Sequence, residues 1–213
     1  IAERMWDETG ARNQQLFPAL RELLDKAGTD PASIDIFAVG LGPGAFSGLR
    51  ISLSAIRGMA LPDSKPVFGL SSAEALAWDV IHLEKRPSVL VIGDARRNSL
   101  WIAGFESENG LTRTAIPFGL TTWDELPGKL HAGATIVSPD WDRIGQKLLA
   151  AAPQGIEIIQ KRRVPTARAV ARLALARTKH GDPSLPLKPI YLHPPVNVAP
   201  RFAEDGSAIA PES

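Results

Sequence analysis

Two α/β lobes set side by side are what this chain predicts, on three grounds. Short apolar runs of strand type alternate with helix-periodic stretches, and the alternation begins afresh near Ser88. In addition, 213 residues with 44% hydrophobic and 22% charged side chains are enough to bury a self-sufficient core. The limits that follow are residues 1–86 for the first lobe and 87–195 for the second. Residues 196–213, with Gly206, Pro211 and only scattered apolar side chains, are expected to be a disordered tail.

Taken in order, Ile1 to Trp6 reads as the remnant of a strand. The start at Ile1, with neither a charged n-region nor a long apolar h-region, reads as the interior of a longer reading frame. From Asn13 the pattern is helical: Leu16, Leu20, Leu23, Leu24 and Ala27 make one apolar stripe, and Gly28 supplies a left-handed stop. Ile34 to Leu41 reads as a buried parallel strand, and Gly42 to Arg50 turns into a helix ending near Leu61, with Ser47 as the expected N-cap. That helix carries Leu49, Leu53, Ile56 and Ala60 on one face and Ile51, Ala55 and Gly58 on the other, so it wants two partners. Val67 to Leu70 is a strand, and Ser71 or Ser72 caps a helix through about Leu83.

The second round opens with Ser88 to Gly93 as a strand and Leu100 to Glu106 as its hairpin partner, joined by the turn chemistry of Asp94 to Asn98. Leu111 to Phe118 is a third strand and Thr121 to Leu126 a short helix. Thr135 to Val137 and Ile156 to Ile159 are strands, each followed by a helix, Asp140 to Ala151 and Thr166 to about Lys179.

Composition removes several function classes. The chain has no cysteine, which excludes disulfides and thiolate zinc sites, and its four histidines lack metal-ligand spacing. A formal net charge of +1 excludes a globally polybasic nucleic-acid or membrane binder, and no run of about 18 apolar residues predicts a membrane span.

Three local patterns remain. The glycine turn Gly42, Gly44, Ser47, Gly48 offers bare N–H groups at a helix start, as phosphate binding needs, although it is neither a P-loop nor GxGxxG; a tight turn with close helix packing explains it equally well. Asp94 stands where it can orient Arg96 or Arg97 toward an anion, or the segment is a solvated hairpin tip. Seven basic and no acidic residues lie from Lys161 to Lys179, and on the last helix Arg168, Arg172 and Lys179 fall within roughly 40° of one another. That stripe is either an RNA-phosphate contact or a soluble face. No catalytic carboxylate pair or triad is evident.

The segment GPGAFSGLRISLSAIRGMA (Gly42 to Ala60), followed by PVFGLSSAEALA (Pro66 to Ala77), resembles the TsaB (YeaZ-type) family of bacterial tRNA threonylcarbamoyladenosine biosynthesis. The family's usual turn is GPGSFTGLR, so Ala45 and Ser47 depart from it. The resemblance extends to Gln15 to Pro18, Asp94 to Arg97, Pro189 to Leu192 and Pro194-Pro195. It implies the actin-like ATPase (ASKHA) fold of two related lobes. Because the family begins with an Asp-Thr-Ser strand and its hairpin partner, it also implies that the first hairpin of lobe 1 is missing ahead of Ile1.

The resemblance further implies a non-catalytic, cytoplasmic partner that binds and activates TsaD. TsaD transfers the threonylcarbamoyl group to adenosine 37 of tRNA and is expected to hold the ATP and the metal. TsaE is reached through TsaD, tRNA is contacted indirectly, and a homodimer is a further option. The helical surface implied for the partner involves Leu16, Leu20, Leu23, Arg50, Leu53, Ile56 and Arg57, whose leucines and isoleucine serve either that interface or the core. TsaD carries an HxxxH metal pair on its next helix; the matching positions here are Ser72 and Leu76, so no catalytic or metal residue is assigned. The competing reading is a stand-alone ATPase or glycoprotease-like hydrolase.

Overall fold

The computed structural model describes residues 2–6 and 15–193. The expected tail at 196–213 and Pro194-Pro195 lie outside the described residues. Within 2–6 no strand forms, so the remnant expected there is not one.

The first part of the chain is helix α1 (Leu16–Ala27), strand β1 (Phe37–Gly40), helix α2 (Phe46–Ala60), strand β2 (Val67–Leu70) and helix α3 (Ser72–Leu83). Gly28 ends α1 at φ 62, the left-handed stop that its lack of a Cβ permits. Strands β1 and β2 pair in parallel, Phe37 opposite Val67 through Gly40 opposite Leu70, as the crossover through α2 requires. The alternation of β1 sends Val39 and Leu41 toward Leu53 of α2, while Ala38 faces the opposite layer.

The second part holds strands β3 (Ser88–Arg96), β4 (Ser99–Glu108) and β5 (Leu111–Thr122), the single turn α4 (Leu126–Lys129), strand β6 (Thr135–Ser138), helix α5 (Trp141–Ala151), strand β7 (Glu157–Arg162) and helix α6 (Ala167–His180). The strand order is β5-β4-β3-β6-β7, with β3-β4 and β4-β5 antiparallel and β3-β6 and β6-β7 parallel. Period-two alternation in β3 divides the core: Val89 and Val91 pack with Leu76, Val80 and Phe105, while Leu90 and Ile92 pack with Ile136, Ile144 and Leu148. Helices thus cover both faces. Gly93 sits opposite Trp101, and a Cβ there would come within 2.3 Å of the indole, so only glycine lets the ring lie flat on the strand.

Two expected details are corrected. Ala45, with extended backbone and no side-chain cap, is the N-cap of α2, because the helix begins at Phe46 and takes Ser47 into its first turn. Thr121 and Thr122 belong to β5, held extended opposite Leu100 and Ser99, and the helical turn comes later, at Leu126–Lys129. Helix α6, last in sequence, packs on the first sheet: Leu173, Ala174 and Val170 meet Leu70, Phe68 and Ala38. Residues 184–193 then run back along that sheet. The Ser184 hydroxyl accepts from the Gly69 N–H at 2.9 Å, Leu185 N–H donates to the Gly69 carbonyl, and Ile190 N–H donates to the Leu41 carbonyl.

Candidate functional site

The glycine turn joins β1 to α2. Gly42 is buried at φ 99, and a Cβ on it would lie 2.8 Å from the Leu49 Cδ1. Its N–H donates to the Ser72 Oγ at 3.0 Å and its carbonyl accepts from the Ser72 N–H at 2.8 Å. Close packing of α2 on the turn therefore accounts for this glycine without a ligand. Gly44 and Ser47 are exposed and Gly48 half-buried, with no side chain capping the first turn.

Ser72 and Leu76, the positions laid against the metal pair, have other work. Ser72 braces the turn, and Leu76 is 2% exposed in the larger core. A hydroxyl committed to a backbone amide and a buried leucine do not fit a metal centre. Among the described residues no group of three or more His, Asp or Glu side chains is placed to hold a metal ion.

On α1 and α2 the structure separates the residues implied for a partner. Leu53 is buried against Val39 and Leu41, and Ile56 packs on the same cluster. Leu16, Leu20 and Leu23 are half-buried; Leu16 and Leu20 line a groove of about 570 Å³ beside β1 and α6, and Leu23 a neighbouring one. Arg50 and Arg57 instead stand on the exposed face of α2. Arg50 lies 3.9 Å over the Phe46 ring and donates to the Tyr191 hydroxyl at 3.1–3.2 Å, and Arg57 donates to the Leu187 carbonyl at 2.7 Å. Phe46 and Tyr191 are ring neighbours at 5.5 Å. Sequence reasoning did not assign Phe17, Phe46, Gly58 or Tyr191 to this surface. The signal for Phe17 was present, since a large apolar residue off the Leu16–Leu20–Leu23 stripe has no inward place to go.

The other two patterns are held by their neighbours. Asp94 meets Arg96 at 3.6 Å and Arg143 at 3.4 Å, accepts from the Arg96 N–H at 2.7 Å, and donates its own N–H to Asp140 at 2.9 Å. Arg96, Arg97 and Asn98 are all left-handed, with φ of 66, 51 and 57, which gives the two-residue turn its primed geometry. Asp94 is therefore paired with Arg96 and Arg143 within the chain. In the basic stripe Arg168 pairs with Glu3 at 3.2 Å and Arg172 lies 5.7 Å over the Trp78 ring, while Lys179 is exposed. From the same run Arg163 pairs with Glu84, and Arg177 reaches the buried Glu74 at 2.5 Å. Three arginines of the run, Arg163, Arg168 and Arg177, are thus matched by carboxylates within the chain.

Burial pushes the Glu74 carboxyl above the usual range, against the pull of Arg177. Asp79, which accepts from the Thr166 hydroxyl at 3.0 Å, is raised for the same reason. His82 is lowered by burial and by Lys85.

The family model described as TsaD, tRNA N6-adenosine threonylcarbamoyltransferase, matches residues 10–129, more than half of the chain. The chain belongs to that family. Within it the chain is of TsaB (YeaZ) type. The TsaB of Escherichia coli is 31% identical over 99 residues, 46% of this chain and 43% of that protein. An uncharacterised protein of Mycobacterium tuberculosis is 27% identical over 195 residues, 92% of this chain and 81% of its own length. A crystal structure of a Pseudomonas aeruginosa protein described as similar to peptidase YEAZ superposes with a TM-score of 0.71 at 25% identity, covering 85% of this chain and 84% of that one. The matched region spans about two fifths of the E. coli and Haemophilus influenzae TsaB proteins. No helix among the described residues is long and apolar enough to cross a membrane.

Proposed function

We propose that this chain is a non-catalytic partner of TsaD in threonylcarbamoyl transfer to adenosine 37 of tRNA, binding TsaD through the face formed by α1 and α2 and raising its activity. The observation that carries this reading is the fate of Ser72 and Leu76, one bracing the glycine turn and the other packed in the core: the scaffold of the family is kept and the ligand positions serve folding. ATP and metal then belong to TsaD, TsaE joins through TsaD, tRNA is met in the assembled complex, and the cytoplasm is where these components meet. The lobe limits at residues 86 and 195 are proposed with it. The inward direction of Leu53 and Ile56 moves the contact to the outward side of the same helices, around Arg50 and Arg57.

The test is reconstitution on unmodified tRNA with the TsaD encoded in the same genome. The expected outcome is no product and no ATP hydrolysis above background from the chain alone, and faster product formation by TsaD when the chain is added. Turnover by the chain alone favours the hydrolase reading, and unchanged TsaD activity removes the partner role.

A further inference from the structure

Residues 184–193 do more than cover the first sheet. Leu185, Leu187 and Ile190 pack on the cluster of Val39, Leu41 and Leu53, whereas Leu192 packs on the core that α3 shares with the second sheet. The strap thus passes from one core to the other between Ile190 and Leu192. It is seated without slack: a Cβ on Gly69 would lie 2.8 Å from the Leu41 Cδ1 and 3.0 Å from the Leu187 Cδ2. Its far end is tied as well, because the ring of His193 meets the Ala95 carbonyl at 2.7 Å. Ala95 is the residue that β3 skips between the Asp94–Leu100 and Arg96–Ser99 pairs, so the ladder to β4 leaves its carbonyl for the strap.

Tyr191 stands at that crossing, exposed, with its hydroxyl accepting from the Nε and Nη2 of Arg50 at 3.2 and 3.1 Å and its ring 5.5 Å from that of Phe46. Arg57 donates to the strap too, at the Leu187 carbonyl. Among the described residues these are the hydrogen bonds that the two guanidinium groups make, so the strap is what orders both cations of α2. An arginine that is free to turn must give up that freedom when it docks, and one already fixed does not, a difference of about three- to tenfold in affinity. We propose that Tyr191 and His193 are positioning residues. His193 anchors the strap to β3, and Tyr191, pinned between the two cores, fixes the guanidinium of Arg50, so the second sheet keeps a side chain of the first in its docking geometry.

The clasp bears on docking only through the partner reading above, and two measurements keep them apart. Nitrogen relaxation at the Arg50 Nε, on the full chain alone, is expected to show an ordered side chain that loosens in Tyr191→Phe and in His193→Ala. Tyr191→Phe keeps the ring beside Phe46 and removes only the hydroxyl. His193→Gln, whose amide can donate to the Ala95 carbonyl, is expected to restore the order. Titrated against TsaD, Tyr191→Phe is expected to bind about three- to tenfold more weakly than the parent, and within about twofold of its reference in an Arg50→Ala background, where no guanidinium is left to hold. A hydroxyl that served packing alone would cost the same in both backgrounds. Arg50 order that survives either Tyr191→Phe or His193→Ala overturns the clasp, as does an equal loss of affinity for Tyr191→Phe with and without Arg50. Order lost in both variants, with TsaD affinity untouched by Arg50→Ala, keeps the clasp and overturns the placing of the partner at α2.

Discussion

The two sheets of this molecule are finished to different degrees. In the five-stranded sheet, β3 places Val89, Leu90, Val91 and Ile92 at zero exposure, two toward each helical layer, and β6 adds Ile136 and Val137 equally buried. In the two-stranded sheet the cluster on the α2 side centres on three buried residues, Val39, Leu41 and Leu53, each 2–7% exposed, and grooves of about 570 and 340 Å³ open beside β1. Among the described residues β1 pairs with β2 alone. One region satisfies its own apolar surface. The other spends comparable apolar sequence on helices whose outer sides remain available, which is the division expected when one half carries stability and the other carries contact.

The largest test of that division is the tie between the halves. Glu74 of α3 and Arg177 of α6 form a buried pair at 2.5 Å, and removing either partner leaves the other charged and unmatched. Glu74→Ala or Arg177→Ala is expected to cost about 3–5 kcal/mol in urea denaturation, and an apolar pair of similar volume at both positions to recover most of it. Recovery failing in the apolar pair would show that the charges, and not the packing, hold α6 to α3.

A cavity comparison sharpens the contrast. Leu90→Ala empties a fully buried site between β3 and its helices and should cost about 2–5 kcal/mol. Leu20→Ala, in a half-buried site that already borders open space, should cost less than half as much. Equal costs in parallel denaturation curves would mean that the first sheet is as well packed as the second.

The smallest effect is a pH dependence. Folding holds His82 below its ordinary value of 6.5, so on acidification the unfolded chain takes up a proton that the folded chain resists. Its contribution is full above about 6.5 and is lost as pH falls through the lowered folded value. Glu74 and Asp79 act in the other sense: their raised folded values favour the folded chain below about 4 and withdraw that contribution as pH rises. Melting scans of His82→Gln should therefore show a shallower loss between pH 6.5 and 5 than the parent. An identical slope would assign the acid sensitivity elsewhere.

How far the sequence carried follows from what each element needs. Helix α1 was legible because its stripe and Gly28 act within the segment, and β2 because Val67 to Leu70 is bounded by Pro66 and a capping serine. Thr121 and Thr122 were read as helix because their extension is enforced by β4, a partner that no local pattern reveals. The site was half legible. The glycine turn and the two arginines of α2 stand in a contiguous motif, but which leucines face inward depends on β1, and Tyr191 reaches Arg50 from 141 residues away. Likewise the basic run from Lys161 to Lys179 looked unopposed because Glu3, Glu74 and Glu84, which pair with Arg168, Arg177 and Arg163, lie far from it in sequence.

The run from Ser184 to His193 has a bearing on how the chain is made. Its bonds to Gly69 and Leu41, and the one joining the ring of His193 to the Ala95 carbonyl at 2.7 Å, link the end of the described chain to strands synthesised long before. The β3-β4-β5 meander needs only hairpin contacts between neighbours and can zip as it emerges. The first sheet, by contrast, must wait for α6 and for Leu185 and Ile190 before its exposed side is closed. Synthesis order and completion order are therefore reversed: the half that leaves the ribosome first is the last to be finished, and its apolar helices spend that interval in need of shelter from neighbouring chains.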